Sequence, residues 1–477
     1  MAITLTATAL RHMITCGRLA WFETHGDLTQ RAEYPTQVQA RLDAGTAHET
    51  AIHQTTAPDA VRVPVTDWSE AVALTRDAMQ RGVDYVLSAS LEWTFKAAGG
   101  VAFTVRGVVD RLENHNGYYI PVEIKRNANP PSLADQAQLG LYVWMLSQMQ
   151  DDDLPGIFWL GMDHNGRPLV RERVQVSHHA VEGMLREAAR VIAADAPPHF
   201  KSVSHCKDCR WYGPCHAEAA THGHLELIYG LRSTSVSSLR QMGVQTLHEV
   251  AAMTLDELLA VHGIGKVTAP RIHASARAWV AGGPVWLQAI PDLPAGTMLD
   301  IEGDPYTDPQ IPWCWGLSDT DGNATLIVVW PGHHSTTITL KNGQSVETVP
   351  DHAAGWRRVA ALCGAGAPVY HWSGYDAGSL HKTAPPDVID ALGSRMHDLN
   401  RTLKDTVALP LRSTSIKVVA PYLGFDWSGY QDWSAAWQDY RQWLKTGDLD
   451  ALTRSLGYQA DDALAVAVVW RWLNAQR

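Results

Sequence analysis

The chain has 477 residues, too long for one ordinary core, and length alone points to about three domains. With 45% hydrophobic and 19% charged residues it is neither a disordered nor a fibrous chain. The net charge of −11 argues against a protein that coats nucleic acid through a global positive field, yet leaves room for local, metal-assisted contacts.

No apolar run approaches the roughly 20 residues that a membrane span needs. The first stretch, MAITLTATALRHMITCGRL, lacks an apolar core followed by a small-residue cleavage site, so a cytoplasmic location is expected. In that compartment the six cysteines are expected to be metal ligands or core thiols, not disulfides.

In chain order, RLDAGTAHETAIHQ and DWSEAVALTRDAMQ predict short helices. VAFTVRGVVDRLEN and GYYIPVEIKRN alternate as strands, joined at His115–Asn116–Gly117, where Asn-Gly is a hairpin signal. ADQAQLGLYVWMLSQM then reads as an amphipathic helix, GIFWLGMDHNGRPLVRERV as a second hairpin, and SHHAVEGMLREAARVIAA as another helix. The Cys-rich stretch 199–224 and the Pro/Gly-rich stretch 281–296 mark boundaries. Everything between them reads helical, and strands mix with helices again after the second. The expectation is an α/β multidomain chain divided at 1–222, 223–285 and 286–477.

Asp110 closes the strand-like VRGVVD, and Glu123 and Lys125 lie two apart on the next strand, hence on one face. The hairpin brings Asp110 beside them. Two carboxylates can hold Mg²⁺ or Mn²⁺, which lowers the pKa of a bound water and polarises a phosphate. Taken alone, the pattern also fits a surface hairpin with a charge pair. Upstream, His48 follows a glycine in AGTAHE; downstream, Gln138 and Tyr142 share one helical face.

The order G-x-x-H, G-x-x-D, E-x-K, Q-x-x-x-Y resembles the RecB-like branch of the PD-(D/E)XK nucleases. The resemblance implies a restriction-endonuclease-like fold, with His48, Asp110 and Glu123 as metal ligands and Lys125 as the catalytic lysine. It implies Gln138 and Tyr142 as active-site or DNA-contacting residues.

Cys206, Cys209 and Cys215 are spaced C-x2-C-x5-C and need a fourth ligand, for which Cys16 is the candidate. So wide a split is unusual in a compact zinc module. It is similar to the RecB-like nucleases with a [4Fe–4S] staple, among them AddB and the CRISPR-adaptation exonucleases, where one cysteine precedes the nuclease core and three follow it. A zinc ion remains the alternative for four thiolates. Cys314 and Cys363, in apolar or small-residue strand contexts, are expected as buried core thiols.

Between the boundaries, His262-Gly263-Ile264-Gly265-Lys266 joins two helical segments. Backbone N–H groups at such a turn suit a phosphate, although the spacing is not that of a Walker A loop. The segment resembles a helix-hairpin-helix module, which implies DNA-backbone contacts at Gly263, Gly265 and Lys266; an ordinary helical hairpin has the same pattern.

MLDIEGDPY sets Asp300 and Glu302 two apart on an apolar strand, PVYHWSGYDAGSL supplies Asp376, and the last helical segment sets Tyr458 and Asp462 four apart. Acids gathered at strand ends are costly unless cations neutralise them, which suits two metal ions about 3.5–4 Å apart. Asp461 adjoins Asp462, but only Asp462 keeps the four-residue offset from Tyr458. Asp398 reads as structural or auxiliary, and Asp304 and Asp405 as turn or helix-surface acids.

D-x-E, D and Y-x-x-x-D in this order resemble the DEDDy 3′–5′ exonucleases of the ribonuclease H-like superfamily. The resemblance implies Asp300, Glu302, Asp376 and Asp462 as metal ligands and Tyr458 as the residue orienting the attacking water. The whole chain, including SIKVVAPYLGFDW (415–427), is similar to RecB-like nucleases fused to a ribonuclease H-like exonuclease domain.

The leading expectation is therefore a metal-dependent DNA nuclease acting on single strands or ends in repair, recombination or defence, with no membrane partner. The alternatives are an RNA or RNA–DNA hybrid exonuclease and a non-catalytic DNA-binding adaptor.

Overall fold

In the computed structural model, residues 4–96, 102–127, 129–161, 170–430 and 433–477 are described. The chain divides into two compact units, Met1–Ala219 and Ala220–Arg477. The fold is mixed α/β in both. Among the described residues no helix is long and apolar enough to cross a membrane.

The first unit begins with β1 (Thr4–Thr6), α1 (Ala7–Thr15), α2 (Gly17–His25), α3 (Thr36–Thr56), β2 (Val61–Arg62) and α4 (Trp68–Gln80). β3 (Tyr85–Lys96), β4 (Ala102–His115), β5 (Tyr118–Lys125), α5 (Leu133–Gln150), β6 (Gly156–Leu160), β7 (Val170–Val174) and α6 (His178–Ile192) follow, then α7 (Tyr212–Thr221). The strands form a sheet in the order β2-β3-β4-β5-β6-β7, with β1 lying parallel to β4.

Asn116 and Gly117 both take positive φ, 57° and 95°, the geometry of a two-residue turn that matches strand twist. The expected β4–β5 hairpin forms there, with Arg111 opposite Val122. The second hairpin is present as antiparallel β6 and β7, its turn at 162–169 lying outside the described residues. β5 is buried along Tyr119–Ile124, because both of its faces are covered. Ile52 of α3 packs with Ile120, Val122 and Ile124. On the α5 side, Leu141, Tyr142 and Met145 pack with Val105, Val109 and Leu112. A Ser132–Asp135 capping box starts α5 and fixes its first turn beside the end of β5.

The second unit opens with the expected helices, α8 (Ser233–Gln241), α9 (Leu247–Ala252), α10 (Leu255–Leu259) and α11 (Ala269–Ala281). After β8 (Val285–Trp286) come β9 (Thr297–Gly303), β10 (Pro312–Ser318), β11 (Ala324–Val329), β12 (Thr336–Thr339), β13 (Ser345–Val349) and α12 (His352–Leu362). Next are β14 (Val369–His371), α13 (Gly374–Thr383), α14 (Pro386–Leu392), β15 (Met396–Asp398), α15 (Leu399–Thr406) and β16 (Val407–Ala408). The last helices are α16 (Ile416–Tyr422), α17 (Trp433–Thr446) and α18 (Leu449–Ala475).

The main sheet runs β12-β13-β11-β10-β9-β14-β15. β9, β10 and β11 form an antiparallel meander, and β14 and β15 extend it in parallel with β9. β10 is buried throughout, sandwiched between two layers. Trp315 and Leu317 pack toward Trp356 and Val359 of α12, while Trp313 and Cys314 pack toward α17 and α18. α18 approaches β10 closely: a Cβ on Gly316 would stand 2.6 Å from the Gln459 carbonyl oxygen. Cys314 and Cys363 are both buried. Cys363 departs from its expected strand context: it caps the C-terminus of α12, where its N–H bonds the Val359 carbonyl.

Candidate active sites

In the first unit, the β4–β5 hairpin sets Asp110 beside Glu123, and the Ile124 N–H donates to Asp110 Oδ2 at 2.8 Å. Lys125 Nζ donates to Glu123 Oε1 at 2.8 Å and lies 3.1 Å from Asp135 Oδ1. Arg11 of α1 reaches the same Asp135 oxygen at 3.2 Å. The Gln138 amide donates to the Tyr142 hydroxyl at 2.9 Å, and that hydroxyl donates to the Val108 carbonyl at 2.7 Å.

Glu123 is only 2% exposed. Burial, then the charges of Glu123 and Glu49, push the Asp110 carboxyl well above the usual carboxylate range. Burial raises Glu123 as well, against the pull of Lys125. Lys125 is itself raised, because Glu123 and Asp135 together outweigh its burial. Burial and nearby Arg126 lower His48, which favours the neutral imidazole that a metal requires.

Three buried atoms here have no hydrogen-bond partner among the described residues: His48 Nε2, Glu123 Oε2 and Gln138 Oε1. Buried polar atoms are rarely left so, and a hard cation with its water shell would satisfy them. The donor chemistry thus fits Mg²⁺ or Mn²⁺. His48, Asp110 and Glu123 do not come within 4.8 Å of one another as a set.

Cys16, Cys206, Cys209 and Cys215 line one small pocket with Leu19, Phe22, Phe200 and Trp211. Cys16 lies between α1 and α2, Cys206 in a short 3-10 helix (Ser204–Asp208) after α6, Cys209 at the end of that helix, and Cys215 on α7. All four are free thiols. Arg18 binds both ends of this arrangement: Nε donates to Cys215 Sγ at 3.1 Å and Nη1 to the Pro198 carbonyl at 2.7 Å, and the guanidinium pairs with Glu218. Burial pushes the Cys209 thiol up to about 11 in the absence of a metal.

In the second unit, Asp300 and Glu302 on β9 face Asp462 on α18, with carboxylate oxygens all within 4.8 Å of one another. Asp376, in the first turn of α13, is 2% exposed and accepts hydrogen bonds from the Ser373 N–H and hydroxyl. Gln459 donates to Asp300 Oδ2 at 2.8 Å. Tyr458 is buried within reach of Glu302 and Asp462.

Burial, then repulsion from Asp462, pushes Asp300 well above the carboxylate range and Glu302 to about 8, and burial raises Asp376 to about 7 against its hydrogen bonds from Ser373. The Tyr458 hydroxyl is raised by burial and by Asp462. Several buried acids that resist ionisation together call for divalent cations, and this donor set fits them.

Asp461 points elsewhere and accepts from the Ser428 N–H and hydroxyl at 2.7 and 2.8 Å. Asp398 caps α15 by accepting from the Arg401 N–H. Asp304 caps its own turn through the Tyr306 N–H, and Asp405 pairs with Arg271. The Gly263–Lys266 turn is exposed apart from Ile264, with Gly263 at φ 86°. Its Gly265 N–H is bonded by Thr268 at 3.0 Å, and α11 starts only at Ala269.

Sequence reasoning missed Arg11, Glu49 and Asp135 around the first site, and Lys417, Trp427 and Gln459 around the second. Asp135 carries a local signal, the S-x-x-D capping box. Lys417 and Trp427 lie in the stretch 415–427, but nothing local points them at Asp462.

Residues 4–216 match the PD-(D/E)XK nuclease superfamily and form a domain of that class; residues 298–474 match the RNase_H superfamily and form the second. Domains of these superfamilies hydrolyse phosphodiesters in nucleic acids, generally with divalent metals such as Mg²⁺. A solved structure titled "Crystal structure of SSO0001" is 17% identical over 45% of this chain and 86% of its own, with a TM-score of 0.25. No curated protein matches the chain.

Proposed function

We propose that the chain is a metal-dependent DNA nuclease with two active sites, processing single-stranded DNA or DNA ends. The observation that carries this reading is that each unit gathers carboxylates with little access to water around one lysine: Asp110 and Glu123, both raised, beside Lys125, and Asp462 with the raised Asp300 and Glu302 beside Lys417. Acids so destabilised as anions have little structural value, and they suit cation binding.

In the first site, Asp110 and Glu123, with His48, would hold Mg²⁺ or Mn²⁺, and Lys125 would offset charge on the phosphate. Gln138 and Tyr142 would contact the substrate or steady the hairpin. In the second, Asp300, Glu302, Asp376 and Asp462 would hold the ions, and Tyr458 would orient the attacking water in a 3′–5′ exonuclease. Ions held there would activate water and offset charge on the transferring phosphoryl group.

Cys16, Cys206, Cys209 and Cys215 would carry a [4Fe–4S] cluster, which supports the fold and does no chemistry. Around a single zinc, with bonds of about 2.3 Å, four sulfurs would lie within about 4 Å of one another. We retain the three-part division, with 223–285 as a helix-hairpin-helix module whose exposed Gly263, Gly265 and Lys266 meet backbone phosphates.

The test uses end-labelled DNA and RNA with Mn²⁺ or Mg²⁺. Glu123→Ala with Lys125→Ala should remove one activity, and Asp300→Ala with Glu302→Ala the other. Unchanged cleavage in both double variants would defeat the site assignment. Absence of cleavage by the parent would favour a binding adaptor, and cleavage of RNA alone the RNA exonuclease.

A further inference from the structure

Lys417 lies outside the D-x-E, D and Y-x-x-x-D acid pattern, yet its ammonium sits against the second acid cluster. It lies in the first turn of α16, and its ammonium contacts Asp462 Oδ1. Trp427 Nε1 donates to that same oxygen at 2.6 Å. The ammonium also lies 4.3 Å from the Trp427 ring centroid and 4.2 Å from that of Tyr458. Two aromatic faces and a carboxylate therefore cage it, an arrangement that steadies a cation where water is scarce. Its charge also favours ionisation of Asp300 and Glu302.

Four carboxylates, two buried and two half-buried, gather here, and one ammonium offsets a single charge. A divalent ion brought to Asp462 meets a positive charge already in contact with that side chain, and like charges at such range repel. The ion and the ammonium cannot both enjoy the full field of the cluster.

We propose that Lys417 is a built-in counter-cation of the second acid cluster: it compensates the carboxylates before metal arrives and competes with the metal for Asp462. Loading is then an exchange, in which the ammonium yields part of its contact to the ion. This rests on reading Asp300, Glu302, Asp376 and Asp462 as a metal site. Lys417 acts through Asp462 and is a positioning residue.

The test titrates Mn²⁺ into the full chain by calorimetry, with the first site silenced by Asp110→Asn and Glu123→Gln. In that background Lys417→Met should bind Mn²⁺ tighter by about tenfold or more, the scale of one like-charge contact even when fully screened by water. Lys417→Arg should stay close to the parent. Lys417→Gln keeps a donor for Asp462 without the charge, and should show the same tightening if charge is what matters. In EDTA, Lys417→Met should melt lower than the parent, and Mn²⁺ should raise its melting temperature by more.

Unchanged or weaker Mn²⁺ binding by Lys417→Met and Lys417→Gln overturns the proposal, since the lysine would then help the ion or be indifferent to it. The underlying metal-site reading fails separately: the parent would bind no Mn²⁺, or Asp300→Asn with Glu302→Gln would bind as well as the parent.

Discussion

Tyr142 lies so close against Gly107 that a Cβ on the glycine would stand 2.4 Å from the tyrosine Cε1 atom. The bare backbone of β4 is thus the floor on which the α5 tyrosine rests, and Tyr142 returns a hydrogen bond to Val108 next door. Gly107→Ala should push the ring off this floor and destabilise the first unit by about 1–3 kcal/mol, the usual cost of overpacking. Denaturant melts of the variant and parent measure it. A variant as stable as the parent would show that the helix can retreat freely.

The staple makes a second expectation. Cys16→Ser should abolish the broad absorbance near ~400 nm of an iron–sulfur protein and lower the melting temperature of the first unit. A colourless, zinc-containing parent would instead assign the site to zinc.

The raised acids of the second cluster set a pH dependence in metal-free protein. Glu302 and Asp376 have folded values near 8 and 7, above their ordinary 4.5 and 3.8. Between the ordinary and folded values the folded chain holds more protons than the unfolded one, so stability falls as pH rises. The melting temperature in EDTA should therefore drop between about pH 5 and pH 8. Glu302→Gln should flatten that slope, and Mn²⁺ should reduce it. A melting temperature that climbs over this interval, with Glu302→Gln behaving as the parent, contradicts the assignment.

Tyr458→Phe removes one hydroxyl from a buried ring. Cleavage by the second site should fall by about 10²-fold or more if the hydroxyl orients the water, while the fold is kept. Activity within a few-fold of the parent would make Tyr458 a packing residue only.

Much of this was legible locally. Asn116–Gly117 announced its turn, because few residues besides glycine and asparagine accept two consecutive positive φ angles. The four-residue offset of Tyr458 and Asp462 follows from helix geometry, and it separates Asp462 from Asp461 as the structure also does, by giving Asp461 to Ser428. What local pattern could not carry is pairing across the chain. Arg11 reaches Asp135, and Lys417 and Trp427 reach Asp462, only after the sheets have ordered their strands. Cys363 misled for a simpler reason: small residues after an apolar run suit a strand start and a helix end equally.

The cysteine pocket also bears on how the chain is made. During synthesis the acidic hairpin of β4 and β5 leaves the ribosome well before Cys206, Cys209 and Cys215, whereas Cys16 has been waiting since the start. Arg18 likewise finds Pro198 and Cys215 only when the last helix of the unit arrives. At roughly 5–20 residues per second, the nascent chain spends several seconds before the contacts that tie its first helices to its last one can form.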